Sequence, residues 1–157
     1  MKLGVNRLVC IICGAIACIG TVCVLLTPLQ VKSSAEWVNL TLKEAYFSSD
    51  GTIVPVICFA GLFAGGICAV MFGLNQDKVL GFVAMGILLV SAILLFYTES
   101  IYLASKALDK DVALSNLSKS IKESKSLMKI GIGPLIGGLC GLIGGLSIPT
   151  VIYVFED

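Results

Sequence analysis

Four long apolar stretches divide the chain. Hydrophobic and small residues run from Leu8 to Leu29, Ile53 to Leu74, Val79 to Tyr97 and Ile130 to Phe155, and none of these runs holds a charged side chain. A hydrocarbon core of about 30 Å takes about 20 helical residues to cross. Backbone N–H and C=O groups cannot stay unpaired in lipid, so each run is expected to be a helix. Buried helices of a soluble bundle would show a polar face over such lengths.

The segments between the runs differ in length and character. The first, Gln30 to Thr52, carries Trp37, Tyr46 and Phe47, whereas the second is only Asn75-Gln76-Asp77-Lys78. The third, Thr98 to Lys129, is rich in Lys and Ser, and within it Leu103, Ala107, Leu114, Leu117, Ile121 and Met128 recur at helical steps. Such a stripe predicts an amphipathic helix. Asp109-Lys110-Asp111 interrupts it and offers an N-cap. The third membrane helix is therefore expected to continue past the membrane and turn near Asp109. A second surface helix, solvated or lying on lipid headgroups, then leads into the fourth. The fold expected is all-α: one integral membrane four-helix bundle over residues 1–157, with helices about 8–29, 53–74, 79–105 and 128–155. An external, helical hairpin-like loop joins helices 3 and 4.

Composition strengthens the membrane assignment. Hydrophobic residues make up 57% of the 157-residue chain and charged residues 13%. A soluble domain carries about 25% charged residues. The net charge of +1 gives no pull towards nucleic acid. Lys2 and Arg7 before the first run, and Ser33-Ser34-Ala35 after it, imitate a signal peptide. The apolar stretch is longer than the 7–15 residues usual for a signal, so it reads as a retained anchor.

Orientation is argued both ways. Lys32, Lys43 and six lysines from Lys106 to Lys129 all lie in the first and third connections. The positive-inside rule would put those connections in the cytoplasm. The sequons Asn39-Leu40-Thr41 and Asn116-Leu117-Ser118 fall in the same two connections. Acceptors for N-glycosylation belong outside, so Asn39 and Asn116 favour cytoplasmic termini.

The densest local pattern lies in the fourth run. Gly133, Gly137, Gly141 and Gly145 recur every four residues, with Gly138 and Gly144 beside them; Gly61, Gly65 and Ala69 repeat the spacing in the second run. Small residues at this spacing let helix backbones approach closely in lipid. The pattern points to a packing seam, either inside one bundle or between subunits.

Chemistry is sparse. The chain has no histidine, which removes the commonest general base and metal ligand. The runs hold no ionisable residue other than cysteine and tyrosine, so no proton relay or ion site is expected in them. Thr21, Ser91 and Ser147 are isolated hydroxyls that can bond to their own helix backbone. Cys10 and Cys13 form a C-x-x-C, but zinc wants four ligands and no second such pair exists. Neither a cofactor, a metal nor an enzymatic activity is expected.

The layout of a longer Trp-bearing first loop, a tight turn and a second long loop resembles that of claudin-like tetraspan proteins. The resemblance is one of arrangement. Trp37 follows Glu36 where that family has Gly-Leu, and no cysteine falls in the loop, so no residue role is carried over. The function expected is a structural or accessory subunit of a larger membrane assembly or lipid-containing coat, with the bilayer and other subunits or copies of itself as partners. The alternative is a homo-oligomeric pore packed through the glycine stripe.

One outcome follows from the apolar pattern alone. The chain should stay with the membrane pellet after alkaline carbonate extraction and leave it only in detergent. Release by carbonate would contradict the four-span reading.

Overall fold

A computed structural model of the chain describes residues 5–26, 29–33, 36–39, 54–108 and 128–154. It is mostly helical. The main elements are α1 (Val5–Leu26), α2 (Val54–Asn75), α3 (Lys78–Phe96), α4 (Thr98–Leu108) and α5 (Ile132–Val154), with short strands β1 (Leu29–Ser33), β2 (Glu36–Asn39) and β3 (Met128–Ile130). Helices α1, α2, α3 and α5 are each long and apolar enough to cross a membrane, which fits a multi-pass membrane protein.

These four helices form a closed ring in which each packs antiparallel to two neighbours: α1 lies between α2 and α5, and α3 faces α1 across the bundle. The buried positions explain why. They include the rows Cys10, Gly14, Ala17, Thr21 and Val24 on α1, and Cys58, Leu62, Gly65, Ala69 and Phe72 on α2, with Gly20, Gly66 and Gly73 buried beside them. On α3 they include Gly81, Ala84, Leu88, Ala92 and Leu95. Steps of three and four alternate, an average period of 3.5 residues. That is the pattern of helices that wind left-handed around one another at a shallow angle, about 20°. Leu62, Leu88, Leu95, Val24 and Ile148 fill the centre. The opposite faces are apolar as well, with residues such as Ile19, Ile57, Val90, Leu139 and Ile143 left half exposed or more. Contiguous apolar surface on this scale suits lipid and not water.

The α2–α3 turn is tight and self-contained. Gln76 takes a left-handed backbone (φ 58°). Its N–H still donates to the Phe72 carbonyl at 2.7 Å, so it closes α2. Asp77 then caps α3, its carboxylate accepting from the Val79 N–H at 3.0 Å. The Arg7 guanidinium donates to the Gln76 side-chain carbonyl at 3.1 Å and ties the start of α1 to this turn. Ile152 of α5 reaches Gly81 near the start of α3. The beginning of α1 and the end of α5 therefore share the turn end of the bundle.

The opposite end differs from the sequence expectation in two ways. It carries a small three-stranded antiparallel sheet of order β2-β1-β3, an addition to the mostly helical fold. Residues 128–130, expected to open the fourth helix, are strand: Leu29 pairs with Ile130, Gln30 with Lys129 and Val31 with Met128. Pro134 favours the later start, although the same helix holds Pro149 in its interior. A helix begun at Met128 would hold Pro134 in its interior, against the Ile130 carbonyl. A helix begun at Ile132 holds it in the first turn, where its missing N–H does no harm. Ser33 pairs with Glu36 in the β1–β2 hairpin.

The second difference is at Tyr97. The stretch expected as one helix over 79–105 breaks there, where Tyr97 sits at φ −94° and ψ 6°. Its N–H is shared between the carbonyls of Ile93 and Leu94, at 3.3 and 3.1 Å. The Thr98 hydroxyl also turns back towards the Leu94 carbonyl at 3.5 Å, a local competition with the helix ladder. Helix α4 then packs on β3 and on α2, burying Thr98, Tyr102 and Leu103. The second surface helix expected near 112–127, with Leu114, Leu117 and Ile121, lies outside the described residues.

The turn geometry makes a prediction for unfolding in detergent. Gln76→Gly and Gln76→Val both lose the bond from Arg7, but glycine relieves the left-handed strain and should be the milder change by about 1 kcal/mol or more. Gln76→Val should destabilise, since a branched side chain resists that backbone. Equal effects of the two changes would contradict the assigned turn.

Candidate functional site

The described residues offer no cluster of three or more His, Cys, Asp or Glu side chains. The seven cysteines are all free. Cys10 is buried against α2, near Gly73, while Cys18 lies over Gly66 and Cys140 over Gly20, so these three act as small packing residues. Thr21 donates to the Cys18 carbonyl and Ser147 to the Gly144 carbonyl at 2.8 Å, each within its own helix. The helix glycines, by contrast, lie at the contacts between helices, Gly86 apart.

On α5 the stripe is buried at Gly133, Gly137, Gly141 and Gly145. A four-residue step advances about 40° around an α-helix, so the stripe turns about 120° from first to last. Its neighbours change accordingly. A side chain at Gly133 would collide with the Cys23 carbonyl oxygen of α1; one at Gly137 with Val24, and it would stand 3.1 Å from the Gly20 carbonyl oxygen. A Cβ at Gly141 would fall 2.5 Å from Leu62 of α2 and 3.1 Å from Ala92 of α3, and one at Gly145 3.0 Å from Leu89 of α3. The stripe crosses from α1 to α3 along the inner face. Gly138 gives the Phe96 ring a flat bed, and Gly144 meets Ala17 and the Cys13 carbonyl. All these contacts are within one chain.

On α2, Gly61 lies under the Ser91 hydroxyl of α3, and Gly65 under Leu88. Four further glycines make contacts of the same kind that the spacing argument passed over. Gly14 and Gly66 face each other across α1 and α2, with reciprocal Cβ positions 2.8 and 2.9 Å from the partner's carbonyl oxygen. Their Cα hydrogens point along those directions, the arrangement of weak Cα–H···O contacts. Gly20 faces Gly137 across α1 and α5, at 3.5 Å from Cβ position to Cα, and a Cβ at Gly73 would stand 3.0 Å from the Arg7 carbonyl oxygen. The available signal was the alternating ladder Cys10, Gly14, Ala17, Thr21, in which the small residues are of four different types and form no visible motif.

The two sequons divide. Asn39 ends β2, paired with Gln30, at the sheet end of the bundle. Asn116 lies outside the described residues. Compared with family models, curated proteins and solved structures, the chain matches none.

The glycine contacts make a graded prediction. Gly133→Ala should destabilise by about 1–3 kcal/mol, because its Cβ meets a backbone oxygen that no rotamer change can move. Gly86→Ala should be neutral or stabilising by up to about 1 kcal/mol: Gly86 is an outward position of α3 with nothing within 4 Å of its Cβ. Gly61→Ala should destabilise and be rescued in part by Ser91→Ala, which removes the colliding hydroxyl. Equal loss at Gly133 and Gly86, read by unfolding in detergent, would contradict the packing described.

Proposed function

We propose that the chain is a non-enzymatic, multi-pass membrane protein that serves as a structural or accessory subunit of a larger membrane assembly or lipid-containing coat. The observation that carries this reading is the division of its surfaces. The small residues meet inside one chain and the centre is filled by Leu62, Leu88, Leu95, Val24 and Ile148, while the outward faces of the four long helices are largely apolar. A rigid body with a filled interior and an apolar exterior is suited to packing among lipids and neighbouring subunits.

The alternative, a homo-oligomeric pore, has less support. Its proposed packing surface, the stripe from Gly133 to Gly145, is occupied by α1, α2 and α3. Copies would have to meet through outward faces such as those of Ile143 and Leu146. Among the described residues, the outward faces of the four long helices carry no ring of polar side chains, which a hydrated pore uses.

The same reading places the turn end, with both termini, in the cytoplasm and the sheet end outside. Arg7 and Lys78 mark the turn end, and the Asn39 sequon marks the other. Use of Asn39 or Asn116 as a glycosylation site belongs to this proposal and depends on a host that modifies asparagine.

Mild extraction from the native membrane followed by native mass measurement tests the assignment. The expected result is a particle heavier than one chain, containing other subunits or further copies. A bare monomer would overturn it, and ion conductance from the purified chain in planar bilayers would favour the pore. For orientation, a C-terminal epitope should resist protease added to intact cells; its digestion would reverse the topology.

A further inference from the structure

We draw no further inference here: the strongest candidate, the shallow apolar notch that Gly86 leaves on the outward face of α3 between Val83 and Val90, carries nothing because nothing in the structure shows what covers it.

Discussion

The structure depends on how closely α1 approaches its two neighbours. At Gly14 against Gly66 and Gly20 against Gly137, backbone meets backbone, with the side chains of Val70, Cys18, Cys140 and Val24 packed beside the contacts. In water such closeness would be a minor addition to apolar burial. In lipid the surroundings are as apolar as leucine, so association rests on dispersion contacts and fit. A flat glycine surface maximises those contacts. It also lowers the intrinsic helix preference by about 1 kcal/mol per residue relative to alanine in water. Glycines that face carbonyl oxygens at around 3 Å have a packing reason to be there.

The rest of the fold follows from that approach. In chain order β1 follows α1, and α5 is entered directly from β3. Helices held antiparallel at Gly133 and Val24 deliver these two segments side by side, and they pair as strands from Leu29 with Ile130 onward. Leu29, fully buried, continues the apolar interior beyond the helices. Helix α4 closes over this end through Tyr102 and Leu103. The two ends of the bundle thus differ in kind: a two-residue turn latched by Arg7 at one, and a small folded cap at the other.

Much of this was legible in the sequence, because the strongest signals are long or local. Four uninterrupted apolar runs specify four helices, and Asn75-Gln76-Asp77-Lys78 leaves room only for a tight antiparallel turn. The stripe on α5 announces close packing through repetition of one residue type. The remainder was hidden for definable reasons. Strands of three to five residues give too few alternations to read, and β3 was merged with the apolar run that follows it. The break at Tyr97 is a change of backbone angle at a single residue, which leaves no gap in hydrophobicity. Gly73 does continue the four-residue spacing of Gly61, Gly65 and Ala69, but what Gly14, Gly20 and Gly66 meet is revealed only by the three-dimensional pairing.

The central claim, that backbone contact at glycines closes the ring within one chain, is tested most directly by solid-state NMR of the protein in lipid bilayers with glycine Cα labelled. The account predicts short-mixing-time cross peaks between Gly14 and Gly66 and between Gly20 and Gly137. These should persist when labelled chains are diluted with unlabelled ones, which separates contacts within a chain from contacts between copies. Loss of the cross peaks on dilution, or lipid acyl-chain contacts at Gly137, would contradict it.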